Sequence, residues 1–195
     1  DRIEASTYLI AGAATGGDVT VSRVIPEHLD AITAKLEEAG VGIEAGEDRV
    51  RAFPKDPMKS VSLKTLPYPG FPTDVQPQFT ALMAISEGTS IIQEGVFESR
   101  FLHVSELKRM GANIELQGNT AVISGVRSLN GADVRATDLR AGAALVIAGL
   151  STPDETSLFG LGHIWRGYER MDEKIRSLGG QVKIVVSEEN GDLKW

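Results

Sequence analysis

The sequence predicts an α/β (α+β) domain in which three similar units surround three buried helices. One observation is a pattern that occurs three times: an amphipathic helix, then a glycine, then a short strand rich in β-branched residues. A second is the presence of three segments that are apolar nearly all round and rich in small residues, as in helices buried on every side. The third is size, since 195 residues, 42% of them hydrophobic, suit one core better than two.

The first unit covers about residues 1–58. The stretch "TYLIAGAAT" predicts a buried helix, and "DVTVSRV" predicts the strand after it. In "HLDAITAKLEEAG" the apolar residues Leu29, Ile32 and Leu36 recur at helical spacing. Gly40 then supplies the left-handed conformation that commonly ends a helix. The following "GIEAGEDRVRAF" predicts a hairpin.

The second and third units, about residues 59–126 and 127–187, repeat this order. Their buried helices are predicted at "QFTALMAIS" and "AGAALVIAGL", and their amphipathic helices end at Gly111 and Gly179. The second unit closes with the hairpin "NIELQGNTAVISGV", and the third with a strand over 182–186. Residues 1–187 are therefore predicted to form a single domain, and the charged, aperiodic residues 188–195 a flexible tail.

Composition argues against several functions. A net charge of −7 without a basic patch makes nucleic acid and anionic membranes poor partners. There is no cysteine, and the three histidines are not at metal-ligand spacing, so no metal site is expected. The longest apolar stretch, residues 141–150, is about half of what a membrane span needs. Since no segment resembles a signal peptide, we expect a soluble, cytoplasmic protein.

Two "TD" pairs precede predicted buried helices, and their acids are Asp74 and Asp138. An aspartate at this place is a favourable N-cap, worth about 1 kcal/mol over alanine, because its carboxylate accepts from free backbone N–H groups. Pro77 falls in the first turn of its helix, where the missing N–H costs nothing. A second interpretation is that Asp74 accepts a proton in a reaction. The local sequence is compatible with both.

Three arginines stand at comparable junctions. Arg100 and Arg166 precede the second helix of their units, and Arg140 opens a buried helix. In a threefold arrangement these junctions cluster at one end of the domain. Because arginine forms bidentate contacts with carboxylates and phosphates, the cluster predicts a site for a small, highly anionic substrate. The alternative is local pairing, of Arg100 with Glu98 or of Arg166 with Glu169.

Several long motifs in one order carry a resemblance to a known family. They are "DRIEAST", "FPTDVQPQF", "VFESRFLHVSELKRMGANI", "ATDLRAGAALVIAGL" and "IWRGYERMDEKIRSLGG". Together they resemble the enolpyruvyl transferases, and within them the later part of the UDP-N-acetylglucosamine 1-carboxyvinyltransferases. The resemblance extends from residue 1 to about residue 185, which makes it far more specific than one short pattern.

The resemblance implies a fold and a reaction. The fold is an inside-out α/β barrel of three βαβαββ-type units, with helices inside and sheets outside. The reaction transfers the enolpyruvyl group of phosphoenolpyruvate to the 3′-hydroxyl of UDP-N-acetylglucosamine and releases phosphate, by addition and then elimination. It starts peptidoglycan precursor synthesis and is expected to need no cofactor. Family members have a second, N-terminal domain that carries the general acid, so this chain is expected to hold half of an active site and to be inactive without that partner domain.

The resemblance also assigns roles to residues. Asp74 corresponds to the aspartate that accepts the proton of the attacking hydroxyl, and Arg166 to the arginine that binds the phosphoenolpyruvate anion; these two are the expected catalytic residues. Substrate binding is expected at four further positions: Val96, Arg100, Asp138 and Arg140. Val96 corresponds to the residue that contacts the nucleotide sugar through its backbone.

Three other interpretations are weighed against this one. A 5-enolpyruvylshikimate-3-phosphate synthase shares the fold and the donor, but "ESRF" and "DRIEAST" favour the nucleotide-sugar enzyme. A non-catalytic scaffold domain of the same fold is disfavoured because Asp74, Arg100, Arg140 and Arg166 are all present. A purely structural repeat protein would not need arginines at these junctions.

Overall fold

The structure is a computed structural model that describes residues 1–186 and 193–195. It is a mixed helix-and-strand fold, which confirms the predicted α/β class. Three helices form its centre: α1 (Arg2–Thr15), α3 (Gln76–Ala84) and α5 (Leu139–Leu150). They pack against one another, and every residue of α3 is buried. Small residues permit this close packing; a Cβ on Gly142 of α5, for example, would lie 2.6 Å from the Ile164 side chain.

Three shorter helices bury only one face, as their periodicity predicts. They are α2 (Asp30–Glu38), α4 (His103–Arg109) and α7 (Met171–Ser177). Each is followed by a glycine in the left-handed region, with φ of 101° at Gly40, 90° at Gly111 and 91° at Gly179. The predicted helix ends are therefore confirmed, because an L side chain at these positions would be strained. A further short helix, α6 (Leu161–Trp165), precedes α7.

The strands form three sheets, two of which lie within the first and second predicted units, while the third joins strands of the third unit to a strand beyond residue 187. The first contains β1 (Val19–Ser22), β2 (Val41–Ala45) and β3 (Arg49–Pro54) in the order β1-β3-β2. The second contains β4 (Leu63–Lys64), β5 (Thr89–Gln93), β6 (Asn113–Gln117) and β7 (Thr120–Ser124) in the order β4-β5-β7-β6. The third contains β8 (Asp133–Arg135), β9 (Ser157–Phe159), β10 (Val185–Val186) and β11 (Leu193–Lys194) in the order β10-β11-β9-β8.

The second and third sheets share one topology. In each, the first two strands are parallel, β4 with β5 and β8 with β9, and a central helix lies between them in the chain. The last strand of each closing pair is antiparallel to the second strand and lies beside it. The parallel crossover brings the chain back through the core, so α3 and α5 begin at corresponding ends of their units.

The C-terminal residues differ from the flexible tail predicted over 188–195. Leu193–Lys194 form β11, and Trp195 is only 8% exposed, with its backbone bonded in both directions to Leu158. Backbone pairing and burial of an indole order this end despite its polar sequence. Residues 187–192 lie outside the described part of the chain. The strand predicted over 182–186 is present only at Val185–Val186. No helix in the described ranges is long and apolar enough to cross a membrane.

Candidate active site

Asp74 lies in a short 3-10 turn, Thr73–Val75, immediately before α3. Neither this turn nor α3 has a side-chain cap, so the N-cap interpretation is wrong for Asp74. Its carboxylate is held instead by two guanidinium groups: Arg100 Nη2 donates to Oδ1 at 2.6 Å, and Arg140 Nη2 donates to Oδ2 at 3.1 Å. Charge-assisted hydrogen bonds of this kind are stronger than neutral ones. Both oxygens of Asp74 are thus engaged by cations from distant parts of the sequence.

The two arginines determine the ionisation of Asp74. Partial burial raises the pKa of its carboxyl, but the positive charge of Arg140 and the hydrogen bond from Arg100 outweigh burial. The net result is a pKa below the ordinary value for aspartate. In this arrangement Asp74 is a stabilised carboxylate and a weak base, and it gains basicity only when an arginine moves away from it.

Asp138, in the second "TD" pair, does cap a helix. Its Oδ1 accepts from the backbone N–H groups of Arg140 and Ala141, both at 2.8 Å. The capping interpretation is therefore confirmed here. The cap fixes the first turn of α5, from which the Arg140 side chain reaches Asp74. Identical dipeptides before two central helices thus have different partners, two guanidinium groups for Asp74 and two backbone N–H groups for Asp138.

Arg100 follows β5 and precedes α4. Besides its bond to Asp74, its Nη1 donates to Thr73 Oγ1 at 2.9 Å, and its guanidinium stands over the Phe97 ring, 4.9 Å from the centroid. The predicted alternative of a local pair with Glu98 is wrong, since Arg100 pairs with Asp74. Two hydrogen bonds and a cation–π contact hold this guanidinium in one orientation.

Arg140 is supported by a buried hydroxyl network. Its Nη1 donates to the Tyr168 hydroxyl at 3.3 Å. That hydroxyl lies 3.0 Å from Thr7 Oγ1, and Gln78 Nε2 donates to both. Because the Thr7 hydroxyl donates to the Ile3 carbonyl, Tyr168 is the donor to Thr7 and an acceptor for Arg140. The network joins α1, α3 and the segment before α7 behind the site.

A buried carboxylate, Glu94, supports the other side. It is 2% exposed and accepts hydrogen bonds from Thr65, Thr73 and the backbone of Val96 and Phe97. Sequence analysis missed both Glu94 and Tyr168. The available signal for Tyr168 was its place two residues after Arg166 in "RGY", and polar Thr7 and Gln78 within apolar helices pointed to a buried network.

Two predicted site residues have different surroundings. Arg166 directly follows α6 as its C-cap, is exposed, and forms no hydrogen bond or ion pair with any residue in the ranges 1–186 and 193–195. Val96 is 40% exposed, and its N–H donates to Glu94 Oε1 at 2.8 Å. The structure therefore brings together Asp74, Arg100 and Arg140, places Asp138 at the N-cap of the helix that carries Arg140, and leaves Arg166 open.

His103, the first residue of α4, is completely buried close to the site. Its ring lies 6.0 Å from that of Phe101, and its Nε2 has no hydrogen-bond partner in the described part of the chain. Burial lowers the pKa of this imidazole to about 3; the Asp138 charge opposes the shift and the Arg100 charge adds to it. His103 is thus neutral near pH 7 and acts in packing.

The arrangement suits a site that binds an anionic ligand and accepts a proton from a reacting group. Fixed guanidinium groups bind phosphate and carboxylate oxygens, and a carboxylate between them can accept a proton. In the described residues, no group of three or more His, Cys, Asp or Glu side chains could hold a metal ion.

Comparison with known proteins agrees with the sequence motifs. A family model described as EPSP synthase (3-phosphoshikimate 1-carboxyvinyltransferase) matches residues 1–175. UDP-N-acetylglucosamine 1-carboxyvinyltransferase 1 of Carboxydothermus hydrogenoformans is 56% identical over 97% of this chain and 45% of its own length. The UDP-N-acetylglucosamine 1-carboxyvinyltransferase of Desulfofundulus thermocisternus is 53% identical over 93% of this chain and 75% of its own.

A solved structure gives the same result. The enolpyruvyl transferase NikO from Streptomyces tendae superposes with a TM-score of 0.84 at 30% identity, over 94% of this chain and 44% of that one. The chain thus spans a little under half the length of several relatives that it matches. The family resemblance of the motifs is confirmed: the chain belongs to the EPSP synthase family of enolpyruvyl transferases and, within it, to the UDP-N-acetylglucosamine 1-carboxyvinyltransferases.

Proposed function

We propose that this chain supplies one half of the active site that transfers the enolpyruvyl group of phosphoenolpyruvate to the 3′-hydroxyl of UDP-N-acetylglucosamine, with release of phosphate. The observation that carries the proposal is the Asp74 carboxylate held between Arg100 and Arg140. An acid and two arginines from separate segments meet at the positions matched to the family motifs. The names of the relatives at 56% and 53% identity supply the substrate class.

The donor carries a carboxylate and a phosphate, so it needs cations near the acid. Arg166 is exposed and unpaired within the described residues, and we assign it to bind the incoming anion. A bound anion also attracts Arg100 and Arg140, which competes with their bonds to Asp74. Weaker pairing raises the pKa of the Asp74 carboxyl, so the base becomes effective when the donor is present.

Asp74 then accepts the proton of the 3′-hydroxyl as the hydroxyl oxygen bonds to C2 of the enolpyruvyl group. The addition also requires a proton at C3 of the donor, which we assign to the N-terminal domain of the enzyme. Elimination removes a proton from C3 and expels phosphate, which restores the double bond. The fixed guanidinium groups stabilise the phosphate charge as it leaves.

Two further residues have supporting roles in this proposal. The Val96 backbone, at an exposed turn, contacts the nucleotide sugar. Asp138 keeps Arg140 in position through the helix cap. Both assignments follow the family motif, and the cap geometry supports the second.

The remaining predictions concern architecture and context. We propose that residues 1–187, in units of about 1–58, 59–126 and 127–187, form one inside-out α/β barrel domain, which residues 193–195 join through the third sheet. Burial of α1, α3 and α5, and the shared strand order of the second and third sheets, support this. The N-terminal domain is the proposed partner, and the cytoplasm is the proposed site of this step of peptidoglycan precursor synthesis.

The test is release of inorganic phosphate from phosphoenolpyruvate plus UDP-N-acetylglucosamine. The chain is assayed alone and then mixed with the N-terminal part of the Carboxydothermus relative. We expect no release from the chain by itself and release from the mixture. Asp74→Asn should lower the rate of the mixture about 100- to 10,000-fold, whereas Asp48→Asn, at an exposed hairpin turn, should leave it unchanged. Full activity of Asp74→Asn would refute the role of Asp74.

A second acceptor deserves a parallel assay because the matching family model is described as EPSP synthase. Replacing UDP-N-acetylglucosamine by shikimate 3-phosphate tests this alternative directly. Phosphate release with shikimate 3-phosphate but not with UDP-N-acetylglucosamine would overturn the nucleotide-sugar assignment. Release with neither acceptor, from a folded mixture, would favour the non-catalytic scaffold.

A further inference from the structure

Glu94 directly follows β5 and is almost completely buried, at 2% exposure. Burying a carboxylate is costly unless hydrogen bonds compensate. Four donors do so here. Oε1 accepts from Thr65 Oγ1 at 2.6 Å, Val96 N at 2.8 Å and Phe97 N at 3.1 Å, and Oε2 accepts from Thr73 Oγ1 at 2.9 Å.

Both hydroxyl contacts have a definite direction. Thr65 Oγ1 accepts from Gly95 N at 2.8 Å, so its own hydrogen points to Glu94. Thr73 Oγ1 accepts from Arg100 Nη1 at 2.9 Å, so its hydrogen also points to Glu94. The site therefore requires an acceptor at both oxygens of residue 94, which a carboxylate provides and an amide does not.

These contacts converge on Arg100. Its guanidinium touches the Thr73 hydroxyl and stands over the Phe97 ring, and Glu94 binds Thr73 through the side chain and Phe97 through the backbone. One carboxylate thus fixes two of the supports that direct Arg100 towards Asp74. The same Oε1 fixes the N–H of Val96.

We propose that Glu94 is a positioning residue with two functions: it holds Arg100 against Asp74 through Thr73 and Phe97, and it sets the backbone of Val96 for the acceptor. The catalytic consequence rests on the proposed function, whereas the positioning itself does not. Because Glu94 is buried, it acts through the residues it binds.

The direction of the effect follows from hydrogen-bond chemistry. In Glu94→Gln the amide oxygen can keep the three donors at Oε1, which leaves the amide NH₂ facing Thr73. The Thr73 hydroxyl would then receive two donors and lose the acceptor for its own hydrogen. It must rotate or shift, and the contact to Arg100 weakens. A misplacement of this kind costs about tenfold to a hundredfold in rate when it reaches reacting groups.

The experiment compares Glu94→Gln with Thr73→Val, which removes the hydroxyl that links Glu94 Oε2 to Arg100 and leaves the Oε1 contacts to Thr65, Val96 and Phe97 in place. Thr73→Ser, which keeps the hydroxyl, serves as a rescue. Glu115→Gln is the matched control, because it makes the same change at an exposed position of β6 in the same sheet. In the two-part phosphate-release assay we expect kcat/KM to fall about tenfold to a hundredfold in the first two variants, and to be kept in the other two.

The kinetic parameters separate positioning from loss of folded protein in Glu94→Gln, and for Thr73→Val the separation comes from dividing kcat by the folded fraction measured by circular dichroism. Thr73→Val should lower kcat at an unchanged KM for UDP-N-acetylglucosamine, whereas Glu94→Gln should also raise that KM because Val96 shifts. Loss of folded protein lowers kcat without changing KM and lowers the melting temperature. The double variant should be less impaired than the product of the single effects, because both act through one contact. Full multiplicativity, or unchanged kinetics in Glu94→Gln, would overturn the proposal.

A binding-independent measurement keeps the inference testable if the unmodified mixture shows no activity, in which case the proposed function fails. Amide hydrogen exchange of Val96 and Phe97 in the isolated ¹⁵N-labelled chain reports the Glu94 contacts directly. We expect exchange to be at least about tenfold faster in Glu94→Gln, since the acceptor is weakened, and unchanged in Glu115→Gln. Equal protection of both amides in Glu94→Gln would show that Glu94 does not position this turn.

Discussion

Acidification should destabilise the folded chain through His103 well before the carboxyl groups are protonated. Burial lowers the pKa of His103 to about 3 from the model-peptide value of 6.5. Between these values the unfolded chain binds a proton at this imidazole and the folded chain does not, so the free energy of unfolding falls as the pH falls. The contribution is fully present above pH 6.5. The change is about 1.4 kcal/mol per pH unit for one group.

From pH 6.5 to pH 4.5 the loss is therefore about 2 kcal/mol, a large part of the stability of a typical domain. Asp74 does not add to this loss in the same pH window. Its folded pKa is lowered, so its contribution is lost only when the pH falls below the ordinary range of aspartate. His103 thus dominates the slope of stability against pH between these limits.

Urea unfolding, followed by tryptophan fluorescence at several pH values between 4.5 and 7.5, measures this slope. His103→Gln removes the titrating group and should flatten the slope, whatever its effect on stability at pH 7.5. His163→Gln, at an exposed position, is the matched control and should keep the slope of the unmodified chain. An unchanged slope in His103→Gln would refute the conclusion that burial keeps His103 neutral.

Two further predictions concern the arginines. Tyr168→Phe removes an acceptor for Arg140 and the donor to Thr7, and should lower the free energy of unfolding by about 1–2 kcal/mol and kcat/KM about tenfold. Tyr8→Phe is its control, because the buried Tyr8 hydroxyl has no partner in the described ranges; equal losses in both would argue against the network. Arg166→Ala should change the free energy of unfolding by less than about 0.5 kcal/mol and strongly reduce phosphate release in the two-part assay. Normal turnover in Arg166→Ala would contradict its role in anion binding.

Local sequence determined the elements of this protein. Segments that are apolar nearly all round and rich in small residues predicted α1, α3 and α5, apolar residues at helical spacing predicted α2, α4 and α7, and Gly40, Gly111 and Gly179 marked the ends of these three. β-Branched alternation predicted the hairpins. These features depend on residues within a few positions of one another, so they can be predicted without knowledge of the tertiary structure. The family motifs also identify Asp74 and the three arginines as candidate site residues from sequence alone.

The tertiary structure determines which groups each polar side chain contacts. Asp74 and Asp138 stand in the same "TD" context, yet one is paired with two arginines and the other caps a helix. Their surroundings differ because the chain brings Arg100 of the same unit and Arg140 of the third unit to Asp74. The supports at Glu94 and Tyr168, and the ordering of Trp195 against the third sheet, likewise depend on contacts between distant segments. Periodicity reports which face of an element is buried, but only the packed fold determines which polar group lies opposite.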